Sequence, residues 1–180
     1  MREWLVAGAL LELGGEVLLV RNERRNGHSD WSTPGGVIDE SDDSLLAGLT
    51  REVEEETGFR VTRWEGPLYE VRAVAVDLGW IMRCEVHRAV EFEGTLHVDD
   101  PDGIVVEAAF VARGECGPRL EEGAPWVREP LAEWLAEHWG PDATRGYHYD
   151  VRGLRREDFD VRRVHGEGDS GPGGGPGSGD

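Results

Sequence analysis

The sequence predicts one α/β domain built on a mixed β-sheet, and three observations carry that prediction. Alternating and β-branched segments stand before, between and after two helix-length segments. The 180 residues suit one compact domain able to bury a sizeable core. The 38% hydrophobic and 31% charged residues are those of a globular chain, and no apolar run reaches the ~20 residues of a membrane span.

Residues 4–21, WLVAGALLELGGEVLLVR, read as two strands around a Gly14-Gly15 turn, so the apolar N-terminal stretch is expected to be a first strand and not an export signal. A polar loop with three arginines follows, RNERRNGHSD, and TPGG at 33–36 is a sharp break leading into the acidic VIDESDD. From Ser44 to Glu56 the chain has no proline, a single glycine and leucines at helical spacing, which predicts a helix ended at Thr57-Gly58. Strands are predicted at Tyr69–Val76 and Trp80–Arg88 around the Asp77-Leu78-Gly79 turn, and again at Gly103–Ala112. Residues 126–139 place Leu131, Trp134, Leu135 and His138 on one face of a second helix closed by Gly140-Pro141, and Tyr147–Val151 suits a short strand. The domain is expected to span 1–155. Residues 156–180 form a C-terminal extension whose Gly/Pro-rich part from Gly166 has nothing to bury and is expected to be disordered.

The formal net charge of −18 argues against the clustered basic surface that nucleic acid or an anionic membrane requires. All 19 basic residues are arginine, which removes catalytic-lysine chemistry. Cys84 and Cys116 form no CxxC pair, and with no export signal a reduced, cytoplasmic chain is expected.

Against that acidic background, REVEEETGF (51–59) adds four glutamates in one helical turn and a half. On a helical wheel Leu45, Leu46, Leu49 and Val53 share an apolar arc and Glu54 lies opposite, where a solvated glutamate belongs. Glu56 projects roughly 20° from Leu45, inside the apolar arc, with Glu52 roughly 20° to its other side and Glu55 further along that flank. A carboxylate facing a core must be paired or hold a cation. Arg51 can pair with Glu55 four residues on, but one arginine does not neutralise three glutamates. Carboxylate ligands select hard ions, Mg²⁺ or Mn²⁺ before Zn²⁺.

These residues resemble the signature of the Nudix hydrolases. Its second half, Arg-Glu-aliphatic-x-Glu-Glu-x-Gly-aliphatic, is matched by Arg51 to Phe59, and WSTPGG (31–36) is similar to the W-x-x-PGG that leads into it. The first half departs from the family: one residue more separates Gly36 from Arg51, and the first acidic position is Asp42 or Asp43 according to the direction of counting. The resemblance implies a Nudix-type α/β/α sandwich and a Mg²⁺- or Mn²⁺-dependent pyrophosphohydrolase. Its substrate class would be a nucleoside diphosphate linked to another moiety: an oxidised nucleotide, ADP-ribose, a dinucleoside polyphosphate or a nucleotide sugar. By position it implies Glu52, Glu55 and Glu56 as metal ligands and catalytic residues, with the Gly36 carbonyl joining the metal. Arg51 would orient the glutamates, and Glu52 or a loop carboxylate among Asp99, Asp100, Asp102 and Glu107 would act as base. The alternative is a non-catalytic nucleotide-binding or regulatory module, which the Asp and the longer loop favour; a diphosphate isomerase would need an acid–base cysteine that neither Cys84 nor Cys116 suits.

Arg21, Arg24 and Arg25 follow the second strand within reach of substrate phosphates, and Trp31 beside PGG can stack on a base or pack in the core. Tyr147 and Tyr149 can meet a base or serve a strand edge. The expected partner is a small nucleotide-type substrate, with homodimerisation left open.

Overall fold

A computed structural model describes residues 1–165; the tail expectation from Gly166 lies outside the described residues. Ten strands and three α-helices follow in the order β1 (Arg2–Leu10), β2 (Glu12–Leu13), β3 (Glu16–Glu23), β4 (Ser29–Ser32), β5 (Gly35–Val37), α1 (Leu45–Thr57), β6 (Phe59–Ala75), β7 (Trp80–Gly94), β8 (Val105–Ala112), α2 (Arg113–Leu120), α3 (Pro125–Glu137), β9 (Arg145–Arg152) and β10 (Asp160–Val164).

Six strands form one sheet in the order β10-β9-β6-β7-β1-β5, with β1 parallel to β7 and β9 parallel to β6 among otherwise antiparallel pairs. The sheet is mixed, as expected. A second sheet centres on β3, which pairs with β2, β4 and β8. The Gly14-Gly15 turn does join two strands, but they are β2 and β3; β1 leaves for the larger sheet at Leu11. The run Val17-Leu18-Leu19-Val20 is buried on both faces, which is why it reads as continuously apolar. Leu18 packs with Ala9, Leu49 and Val53 beneath α1, whereas Val17 and Leu19 pack with Leu120, Leu131 and Trp134 beneath α2 and α3. The strands therefore lie between helices on both sides, the layering of an α/β/α sandwich.

Three expectations are corrected. The helix α2 was not foreseen, because two glycines and Pro118 within RGECGPRL erase the helical pattern. Helix α3 ends before Gly140: His138 adopts the left-handed conformation (φ 54°) and sends its N–H to Trp134 O, with its ring stacked on Trp134. The strand after α1 begins at Phe59, ten residues earlier than Tyr69, its register shifted by irregularities between Val61 and Tyr69. No helix among the described residues is long and apolar enough to cross a membrane.

Candidate active site

Helix α1 is built to present its last two turns. Ser44 caps it, its Oγ accepting from Ala47 N at 3.1 Å, and Gly58 closes it at φ 77° with its N–H on Glu54 O. Leu49 and Val53 anchor the buried face. Burial then sorts the glutamates as the wheel predicts: Glu54 is exposed, Glu52 and Glu55 are half-buried, and Glu56 is only 7% exposed.

The PGG segment closes over this face. Gly35, at φ 139° and pressed against the Ala7 carbonyl, donates its N–H to Glu56 Oε2 at 2.8 Å. Gly36 lies so near Glu52 that an added Cβ would sit 2.6 Å from its Oε2. Arg51 donates from Nε and Nη2 to the two oxygens of Asp42, at 3.1 and 3.0 Å, and from Nη1 to Glu52 Oε1 at 2.7 Å. The anticipated pair with Glu55 is the longest of its hydrogen bonds, 3.4 Å, and Asp39 lies further off at 3.6 Å. Of the two candidates for the first acidic position, Asp42 is turned inward and Asp43 is exposed.

The loop 95–104 forms the opposite wall. It is tied to the end of α1 by His97 N to Thr57 O and Asp99 N to Glu55 O. Asp100 spends its carboxylate on the backbone N–H groups of Asp102, Ile104 and Val105. Together the two walls enclose a cleft of about 500 Å³ lined by Glu52, Glu55, Glu56, Arg51, Gly36 and Asp102, with Asn22, Arg24 and Ser32 at one end.

Negative charge crowds this cleft. Burial pushes the Glu56 carboxyl up to about 8, against the Gly35 hydrogen bond that lowers it, and the charges of Glu52, Asp100 and Glu55 push the same way. Burial also holds Glu52 above its ordinary value despite Arg51. A buried carboxylate beside like charges needs a proton or a cation. The donor set is all oxygen, Glu52, Glu55 and Glu56 with the Gly36 backbone, which fits Mg²⁺ or Mn²⁺. Among the described residues no three such side chains yet converge at coordinating distance: Glu52 is engaged by Arg51 and Glu56 by Gly35.

Other sequence candidates scatter. Arg24 lines the cleft, whereas Arg21 is paired with Glu107 at 2.9 Å and Arg25 stands in the exposed turn, neither lining it. Trp31 packs partly into the core beneath Arg119 and lines an adjoining cavity. Tyr147 and Tyr149 are buried, and their hydroxyls donate to Glu133 and Glu129 of α3, so they lock that helix to β9 and do not reach the cleft. Cys84 lies outside the cleft with its thiol pushed up to about 12 by burial. Two residues escaped the sequence reading. Asn22, 8% exposed within β3, lines the cleft. Gly48 leaves room for Asp42, since a Cβ there would meet Asp42 Oδ2 at 2.6 Å; the signal was its presence as the one glycine of a leucine-rich helix, where glycine costs about 1 kcal/mol relative to alanine.

Comparison with known proteins gives the family and the fold. The family description NUDIX domain matches residues 1–135. A curated MutT-like protein of Streptomyces ambofaciens is 43% identical over 56 residues, 31% of this chain, and the chain aligns with about a third (34%) of that relative's length. Among solved structures, a MutT protein from Bacillus halodurans superposes with a TM-score of 0.64 at 21% identity, covering 89% of this chain and 97% of its own. A MutT NUDIX hydrolase from Burkholderia pseudomallei gives 0.60 at 23% identity, covering 74% and 98%. At these identities the two structures bear on the fold.

Proposed function

The chain belongs to the NUDIX family, and from that premise we propose that it is a divalent-metal-dependent pyrophosphohydrolase. Its substrate would be a nucleoside diphosphate linked to another moiety. The observation that carries the reading is Glu56, a carboxylate 7% exposed in the wall of an open cleft beside two further glutamates. Structure alone gives no reason to bury such a group, and a cation-dependent reaction does.

Glu52, Glu55 and Glu56 would hold Mg²⁺ or Mn²⁺ with the Gly36 carbonyl. When bound, the ion neutralises diphosphate charge and acidifies a water molecule. The protein's own groups do the rest. Arg51, gripped by Asp42, fixes the rotamer of Glu52. Arg24, at the end of the cleft, is paired with Asp30 through Nε at 3.8 Å and would hold a phosphate oxygen with its terminal nitrogens. Two carboxylates can accept the proton of the attacking water, Glu52 and Asp102. Asp102 is the loop candidate because Asp100 is committed to backbone N–H groups, Glu107 to Arg21, and Asp99 does not line the cleft.

The test is a hydrolysis screen over oxidised nucleoside triphosphates, ADP-ribose, dinucleoside polyphosphates and nucleotide sugars, with Mg²⁺, with Mn²⁺ and with chelator. Cation-dependent release of a nucleoside monophosphate is the expected result. Tight binding of a panel member with no product at millimolar metal would instead establish a non-catalytic nucleotide-binding module.

A further inference from the structure

The six-stranded sheet has two unlike faces. Beneath α2 and α3, Tyr69, Val71, Ala73 and Tyr147 join the larger core cluster. On the opposite face α1 packs over Ala7 and Ala9, near the β1-β5 edge. The remainder of that face is open: Leu5 is 41% exposed, and Glu70, Arg72 and Arg83 are exposed. Leu5, Glu70, Arg72, Arg83, Glu85 and His148 surround a recess of about 490 Å³ there.

Strand register sorts the charges of this face by sign. Arg72 of β6 stands directly opposite Arg83 of β7, with Leu5 of β1 beyond Arg83 and His148 of β9 beyond Arg72. Two residues along each strand, about 6.8 Å away on the same face, Glu70 stands opposite Glu85. Like charges in directly opposed positions destabilise a sheet, and exchanging one residue between the two rows would have relieved both. The fold relieves them little. Among the described residues Arg72 and Glu70 enter no ion pair or side-chain hydrogen bond, and Arg83 has only Glu3 at 3.9 Å. Glu85 alone has a close partner, His87 at 2.9 Å.

A small ligand does not account for the two rows. The Arg83 side chain is 62% exposed, and among the described residues no buried, unpartnered polar atom lines the recess. What each row matches is the other row. A two-fold axis that crosses the strands midway between them lays the arginine row of one copy on the glutamate row of a second. Arg72 then faces Glu70 of the second copy and Arg83 faces its Glu85, and the symmetry repeats both pairs. Sheets packed face to face stand about 10 Å apart, a gap that arginine and glutamate side chains reach across together. The net charge of −18 repels two copies at long range, so contact between them requires a patch where opposite signs meet.

We infer that this open sheet face is a self-association surface on which a second copy of the chain docks, arginine row to glutamate row. Neither Arg72 nor Glu70 lines the glutamate cleft, so the inference stands apart from the hydrolytic reading.

The test is the oligomeric state of the full chain. Sedimentation velocity from about 1 to 500 µM is expected to show a monomer–dimer equilibrium. Arg72→Glu sets like charges against each other across the two-fold, and Glu70→Arg does the same with the opposite sign. Both side chains are exposed, so both variants are expected to keep the native circular dichroism spectrum and melting temperature. Each variant alone is expected to raise the dimer dissociation constant about tenfold or more. An equimolar mixture of the two is expected to bring it back to within about threefold of the native value, because each introduced charge again meets its opposite. A native chain that stays monomeric up to about 500 µM overturns the inference and leaves the face to an unlike partner or to solvent. A dimer that Arg72→Glu leaves intact overturns it by placing the contact on another face. A mixture no more associated than its two components overturns it as well, by removing the pairing of Arg72 with Glu70.

Discussion

Arg51 grips Asp42 with two parallel hydrogen bonds, Nε to Oδ1 at 3.1 Å and Nη2 to Oδ2 at 3.0 Å, while its third nitrogen reaches Glu52 at 2.7 Å. A bidentate fork is directional, so the loop carboxylate decides where the guanidinium stands and hence where Glu52 points. The pairing holds the Asp42 carboxyl below its usual range, by the Arg51 bonds first and the Asp39 N–H second, and drives the arginine further above its own.

Asp42→Asn is therefore expected to lower kcat about tenfold, because an amide cannot accept from both nitrogens and Arg51 loses its fixed orientation. Asp43→Asn is expected to change nothing, its side chain being exposed. Steady-state kinetics of the two variants side by side decide the matter; equal effects would remove Asp42 from the site.

The adjacent glycines separate a backbone requirement from a functional one. A Cβ at Gly35 would lie 2.1 Å from Ala7 O, at a φ of 139° that side chains rarely adopt. At Gly36 it would meet only the end of the Glu52 side chain, 2.6 Å away. Gly35→Ala is accordingly expected to destabilise the fold by about 3 kcal/mol or more. Gly36→Ala is expected to keep its melting temperature within a few degrees and lose about tenfold in kcat as Glu52 is displaced. A Gly36→Ala protein with unaltered turnover would show that Glu52 has no fixed place in the reaction.

Sequence legibility followed the range over which each signal acts. The helix α1, its Gly58 stop and the inward aim of Glu56 are local consequences of a 3.6-residue period, and the sequence carries them in full. The alternation of Val17 to Val20 between two layers is likewise local. That β1 and β3 part into different sheets is not, because strand pairing depends on residues far along the chain. The same holds in the site: Arg51 with Glu55 is readable from spacing, yet the stronger partner is Asp42, brought there by a loop conformation that Gly48 admits. Asn22 and Phe159 meet around one cavity only through tertiary packing, and nothing near either announces it.

Neither cysteine is expected to take part in turnover. The Cys84 thiol is pushed up to about 12 by burial and Cys116 is fully buried, so neither supplies a thiolate near neutral pH. Cys84→Ser with Cys116→Ala should retain kcat within about twofold, and iodoacetamide at pH 8 should not inhibit the native protein. Inactivation by either route would revive the acid–base cysteine chemistry of an isomerase.

Glu56 gives the sharpest pH signature. Its carboxyl sits at about 8 in the folded protein against an ordinary 4.5, chiefly through burial. Between those values the folded state carries a proton that the unfolded state has released, so unfolding free energy falls as pH rises through that window and is lowest above it. Glu52, also raised by burial, acts in the same direction. Metal-free protein is thus expected to lose several degrees of Tm between pH 5 and pH 9, and Glu56→Gln, which cannot ionise, to show a flatter profile and the higher Tm at pH 9. A divalent cation favours the charged carboxylate, so millimolar Mg²⁺ should restore most of the lost Tm at pH 9 in the native chain and much less in the variant. In the same variant kcat should fall by about a hundredfold or more, since the amide neither carries charge nor balances the ion. Thermal melts across pH, with and without Mg²⁺, decide it: a Gln variant with the native slope and the native response to Mg²⁺ would mean that Glu56 is neither the buried proton site nor a metal ligand.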